Sequence, residues 1–174
     1  SGIAVPGAGF FLNNEMDDFS VKPGVPNVFG LVGDEANAVG SRKRPLSSMT
    51  PTIVLQDGKP LLATGAPGGA RIITVVLQII LNTLVFDMNI ADASAQSRVH
   101  LQWLPDELYL EPGISPDTVS LLKSMGHTLG APGALFGNAQ SLMYRDGMMY
   151  GASDTRRPGG GVATVEQVRA QSSQ

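Results

Sequence analysis

Short apolar runs separated by long Gly- and Pro-rich stretches pattern this chain. Residues 9–14, Gly-Phe-Phe-Leu-Asn-Asn, read as a short buried strand, followed by an acidic turn, Glu15-Met16-Asp17-Asp18. Residues 20–46 read as loop, with Pro23, Pro26 and Pro45 and several glycines. Thr52 to Gln56 alternates and is β-rich. Asp57-Gly58 favours a two-residue hairpin turn, and Pro60 to Thr64 returns as the second strand. Gly65-Ala66-Pro67-Gly68-Gly69 then breaks the strand before a helix over about 70–86. On that helix Thr74, Gln78 and Asn82 fall at i, i+4 and i+8, one polar stripe on an apolar cylinder that should be mostly buried. Its apolar stretch, 72–86, would span about 22 Å, short of a bilayer core of about 30 Å, so a membrane span is excluded.

A second helix fits 90–98, with Asp92 in its first turn and Arg98 in its last, as the helix dipole favours. Leu108 to Leu110 reads as a strand. Ser115-Pro116-Asp117 starts a third helix, Ser as N-cap and Pro at N1. Its expected buried face is Val119, Leu121, Leu122 and Met125, and Gly126 ends it. Gln140 to Arg145, Asp146-Gly147 and Met148 to Ala152 form another hairpin. Strands and helices are segregated, which predicts an α+β layered fold with an antiparallel sheet and helices outside it. The expected organisation is one domain over 1–158 and a Gly-rich, then polar, tail over 159–174.

Composition narrows the function. The net charge is −3, which argues against a nucleic-acid surface. The absence of cysteine removes disulfide scaffolds, thiol catalysis and thiolate-bound zinc. Charged residues make up only 16%, against about 25% in typical domains, which fits either a surface partly covered by another chain or a low-charge secreted protein. The basic cluster Arg42-Lys43-Arg44 reads as a solvated loop.

Several residue groups could carry chemistry. Gly68-Gly69 lies where a strand gives way to a helix, and backbone N–H groups there can hold an anion or a developing oxyanion. From spacing alone it could equally be a tight turn. Glu15, Asp17 and Asp18 could bind a substrate ammonium or form a solvated turn. Ser47-Ser48 could hydrogen-bond a carboxylate or belong to an ordinary loop. His100 and His127 are isolated and form no metal motif; His100 reads as packing a loop near Trp103. Asp154, Arg156 and Arg157 read as surface pairing. A free N-terminal Ser can be a nucleophile, but Ser1 reads as a chain boundary.

Four segments are linked in order and spacing: Asn13-Asn14-Glu15-Met16-Asp17-Asp18-Phe19, Arg44-Pro45-Leu46-Ser47-Ser48-Met49-Thr50-Pro51-Thr52, Gly65-Ala66-Pro67-Gly68-Gly69-Ala70-Arg71-Ile72, and His100-Leu101-Gln102-Trp103-Leu104-Pro105-Asp106-Glu107-Leu108. Together they resemble the small subunit of the γ-glutamyltranspeptidases, N-terminal-nucleophile hydrolases, over nearly the whole chain to about Pro158. The resemblance implies a four-layer αββα sandwich shared with a large subunit of the same precursor. It implies autoprocessing before a threonine that then attacks the γ-glutamyl amide of glutathione or a related compound. Water, or an acceptor amino acid or peptide, resolves the γ-glutamyl ester. No cofactor or metal is implied, and the location would be periplasmic or secreted.

By the same resemblance, Glu15 and Asp18 bind the α-ammonium group, Glu15 standing where some members have Gln. Ser47 and Ser48 hold the α-carboxylate with an arginine of the large subunit, and the Gly68 and Gly69 N–H groups form the oxyanion hole. No threonine precedes Asn13, so the chain reads as a small subunit truncated before its nucleophile and, alone, inactive. A cephalosporin (glutaryl) acylase of the same superfamily is the alternative, disfavoured because it has no cation for Glu15 and Asp18 to bind. A non-catalytic amino-acid-binding fragment is a second.

Overall fold

The computed structural model describes residues 2–163. Ser1 and the polar end of the expected tail, 164–174, lie outside the described residues. The chain forms two compact units, residues 2–48 with 102–105, and residues 49–101 with 106–163.

The first unit is built from turns. Its regular pieces are two 3-10 turns, Glu15–Asp18 and Glu35–Asn37, and isolated bridges join Ala4 to Phe11, Ser20 to Ala38 and Pro26 to Val32. The strand expected over 9–14 is absent. Val5 and Phe10 close a turn instead, Val5 N–H donating to Phe10 O at 2.9 Å, and Phe11 is 70% exposed. Apolar character alone suggested that strand, and nothing in this unit covers those side chains. Packing here is tight at Gly33, where a Cβ would come within 1.9 Å of the buried Ser20 Oγ.

The second unit holds an antiparallel sheet of β1 (Thr52–Gln56), β2 (Lys59–Gly65), β5 (Gln140–Arg145) and β6 (Met148–Ser153), in the order β1-β2-β5-β6. Both hairpins turn on Asp-Gly, Asp57-Gly58 and Asp146-Gly147, with positive φ at all four residues, the I′ geometry that matches strand twist. The hairpins join through β2 and β5, with Leu62 opposite Met143 and Thr64 opposite Ser141. The hydroxyls of Thr64 and Ser141 are hydrogen-bonded at 2.8 Å.

The segment between β2 and β5 carries α1 (Ile72–Leu84), α2 (Ile90–Ala95), a two-stranded ribbon of β3 (Val99–His100) and β4 (Tyr109–Leu110), and α3 (Pro116–Ser124). The core gathers Leu62, Met143 and Ala152 from the sheet, Val75 and Ile79 from α1, Ile90 from α2, and Phe136 and Ala139 from the loop before β5. The class is therefore α+β, as expected.

Three expectations change in detail. α1 starts at Ile72, after a 3-10 turn over Gly69–Arg71, and is half buried. Its polar stripe faces the 90–100 segment: the Gln78 side chain brackets Val99, donating to its O and accepting from its N–H, both at 2.9 Å. The neighbouring stripe, Ile73, Leu77, Leu81 and Leu84, is exposed. α2 ends at Ala95, so Arg98 lies beyond it. α3 has the expected Ser115 cap, whose Oγ accepts from Thr118 N–H, but none of its residues is buried, and Leu121 is 60% exposed.

Candidate functional site

Gly68 and Gly69 occupy the junction between β2 and α1. Gly68 has φ 149° and ψ 15°, and Gly69 has φ 57°. Only glycine adopts the Gly68 conformation without strain. Space is not the constraint there, since a Cβ would meet nothing closer than the Gly137 Cα at 3.7 Å. Among the described residues neither N–H finds a backbone acceptor, so the pair can serve an anionic oxygen.

The turn rests on two supports within its own unit. Below it lies residue 137: a Cβ on Gly137 would reach Pro67 O at 3.2 Å and Val75 Cγ2 at 3.3 Å, and its φ is 73°. On the other side, the Arg71 guanidinium stacks over the Phe136 ring, 4.8 Å from its centroid, and lies 5.8 Å from that of Tyr109. His100 is buried beneath. Its Nδ1 lies 2.9 Å from Thr74 Oγ1, and its ring packs near Phe136 and Tyr109. Trp103 is exposed.

The loop of residues 136–139 is itself held by a buried ion cluster of Arg98, Glu111, Asp154 and Arg156. Glu111 Oε1 accepts from Phe136 N–H at 2.6 Å and from Arg156 Nε at 2.8 Å, and its Oε2 from Arg98 N–H at 2.8 Å. Asp154 Oδ2 accepts from Ala139 N–H at 2.9 Å and from Arg98 Nη2 at 2.8 Å. Arg156 pairs with both carboxylates. Both guanidiniums also donate to Ser94 O at the end of α2, at 2.8 and 3.0 Å. Arg98 thus caps α2 from outside it. The expectation of surface pairing for Asp154 and Arg156 is overturned: Asp154 and Arg98 are buried and Arg156 nearly so, because the cluster assembles from chain positions far apart. Arg157 is exposed.

The cluster is charge-balanced. Burial alone would raise the carboxyl pKa values, but the hydrogen bonds from Arg156 and from Phe136 and Arg98 N–H draw Glu111 below its ordinary value. Those from Ala139 and Arg156, with the Arg98 charge, do the same for Asp154. Burial and the Arg156 charge lower Arg98, while for Arg156 the two carboxylates outweigh burial and raise it. A depressed carboxyl pKa stabilises the fold fully above the unfolded value, and that contribution drains as pH falls through the folded one. Stability should therefore fall below about pH 4.5. Glu111→Gln should be less stable at neutral pH and show a shallower loss of urea midpoint on acidification. An acid slope identical to that of the unsubstituted protein would remove this role.

The other predicted residues lie in the first unit. Glu15 and Asp18 share one 3-10 turn, Glu15 exposed and Asp18 half-buried. The turn is fixed by its backbone oxygens: Asn27 Nδ2 donates to Asp17 O at 2.9 Å and Asn37 Nδ2 to Asp18 O at 2.7 Å. Asn37 Oδ1 also accepts from Leu46 N–H at 2.9 Å, immediately before Ser47 and Ser48. The unit thus ties the acidic turn to the serine segment. Asn37 and the cluster carboxylate Glu111 were invisible to motif reasoning, since their partners lie 9 to 45 residues away. Among the described residues no group of three or more His, Asp or Glu side chains could hold a metal ion, and no helix is long and apolar enough to cross a membrane.

Residues 1–164 match the Gamma-glutamyltranspeptidase family. The chain is 57% identical over 157 residues to the glutathione hydrolase proenzyme of Escherichia coli (strain K12), covering 90% of this chain and 27% of that protein. Among solved structures, the Helicobacter pylori γ-glutamyltranspeptidase T380A mutant superposes with TM-score 0.84 at 48% identity, covering 90% of this chain and 87% of that one. The Pseudomonas nitroreducens γ-glutamyltranspeptidase complexed with L-DON gives TM-score 0.86 at 44% identity, covering 94% and 86%. The chain spans about a quarter of the length of the curated relatives it matches. By the family match over residues 1–164, the identity to its relatives and the shared fold, this chain belongs to the γ-glutamyltranspeptidase family, a family of N-terminal-nucleophile hydrolase fold.

Proposed function

We propose that this chain supplies the substrate-binding and oxyanion-stabilising residues of an enzyme that transfers or hydrolyses the γ-glutamyl group of glutathione and related amides. The observation that carries the reading is the Gly68–Gly69 turn, in which Gly68 holds a conformation open only to glycine and neither N–H has a backbone acceptor among the described residues, in a chain of this family. A threonine hydroxyl outside these residues adds to the γ-carbonyl carbon, and the oxygen of the tetrahedral intermediate takes its charge against the Gly68 and Gly69 N–H groups. The C–N bond then breaks, the amine leaves with the threonine's proton, and a γ-glutamyl ester remains. Water or an acceptor amine resolves it.

Glu15 and Asp18 hold the α-ammonium group by charge-assisted hydrogen bonds, and Ser47 and Ser48 the α-carboxylate. The partner is the large subunit of the same precursor. Two exposed apolar faces of the second unit support an extensive partner: Ile53, Leu142, Tyr144 and Met149 on the outer sheet face, and the Ile73–Leu84 stripe of α1. The reading includes autoprocessing and a periplasmic or secreted location.

Asp18→Ala in the full-length enzyme should raise KM for a γ-glutamyl anilide by at least about tenfold, since a hydrogen bond to a charged group contributes about 1.5–3 kcal/mol, and leave kcat nearly unchanged. Steady-state kinetics with that anilide test it, and an unchanged KM would remove the ammonium-binding role.

A further inference from the structure

We infer that Asn37 is a positioning residue that sets the spacing between the ammonium-binding and carboxylate-binding elements of the site; this rests on the function proposed above. One side chain reaches both elements within the first unit. Its Nδ2 donates to Asp18 O at 2.7 Å and its Oδ1 accepts from Leu46 N–H at 2.9 Å, one residue before Ser47. Its backbone adds a third tie, Asn37 O accepting from Ser20 N–H at 2.9 Å beside the buried Phe19 and Ser20. Asn37 N–H is engaged by Asp34 O at 2.9 Å, so the residue is fixed at the end of its own 3-10 turn.

The chemistry explains why such a brace matters. The two charged groups of an amino-acid head are a fixed distance apart on one carbon. A site that grips both must hold its anionic and hydroxyl groups at the matching separation. Neither the Glu15–Asp18 turn nor the segment at 46–48 belongs to a helix or strand of the sheet, so regular secondary structure does not supply that separation. A side-chain amide carries its donor and its acceptor on separate atoms, which suits a bridge from a carbonyl to an N–H.

The test compares two substrates in the full-length enzyme, γ-glutamyl anilide and glutaryl anilide, the second lacking the α-ammonium group. Asn37→Ala should raise KM for the glutamyl substrate at least tenfold with kcat within threefold, and cut the glutamyl-over-glutaryl preference in kcat/KM at least fivefold. Asn37→Asp keeps the acceptor for Leu46 N–H and removes the donor to Asp18 O. It should lose the same preference, and it serves where the alanine variant fails to fold. Equal losses on both substrates, or a fall in kcat alone, would overturn the inference, because a general loss of structure cannot select for the ammonium group. An unsubstituted enzyme that prefers the glutamyl substrate while both variants keep that preference sinks the role of Asn37 alone. An unsubstituted enzyme that processes neither substrate sinks the proposed function and this inference with it.

Discussion

Replacing Gly68 by alanine in the full-length enzyme is expected to lower kcat toward a γ-glutamyl anilide by about 10²–10³, the usual effect of losing one oxyanion donor, while KM changes little. The expectation rests on conformation. At φ 149° and ψ 15° an L-residue is strongly strained, so an alanine must rotate the peptide and turn the N–H away from the reacting oxygen. The space around the position is adequate, so relief by repacking neighbours is not on offer. Gly69, at φ 57°, lies in the left-handed region that other residues enter at a cost of about 1–2 kcal/mol. Gly69→Ala should therefore be the milder variant. Rates for the two, measured side by side, decide the point: a Gly68→Ala enzyme within about threefold of the unsubstituted kcat, or one more active than Gly69→Ala, contradicts the assignment of the Gly68 N–H.

The second large effect is on stability. Asp154→Ala is expected to lower the unfolding free energy by about 3–5 kcal/mol, because it leaves Arg98 buried without its carboxylate. It also releases Ala139 N–H, and with it the loop of residues 136–139 on which the glycine turn rests. The control is Asp87→Ala, which breaks the exposed Arg145–Asp87 pair, 2.7 Å long. Solvent screens that pair, and its loss should cost no more than about 1 kcal/mol. Urea titration at neutral pH tests both. Equal losses in the two variants would mean that the cluster gains nothing from its burial.

The same contrast separates what was legible in the chain from what was not. The hairpins were legible because Asp57-Gly58 and Asp146-Gly147 are local signals: the dipeptide accepts the two positive φ values that the turn requires, whatever surrounds it. The cap of α3 was legible for a similar reason, since Ser115 bonds a residue three positions on. Burial was not. The apolar residues at 9–14 and along α3 suggested inward faces, yet the first are exposed and none of the second is buried, because apolarity shows that a face can be covered and not what covers it.

The charged and amide residues teach the converse. Asp154 and Arg156 stand near each other in sequence and read as a solvated pair. They are buried because Arg98 and Glu111 come to them from 56 and 45 residues away, and the pairing makes burial of four charges tolerable.

By itself, then, the sequence determined the two hairpins, the helix that follows the glycine turn and the family. Each of those depends on neighbours a few positions apart or on a linked pattern of motifs. Tertiary structure alone decided that Gly137 and the Arg98 cluster underlie the glycine turn, and that Asn37 joins the acidic turn to the serine segment. Those contacts close loops of 9 to 69 residues, and only the folded chain sets which polar groups meet when water is excluded.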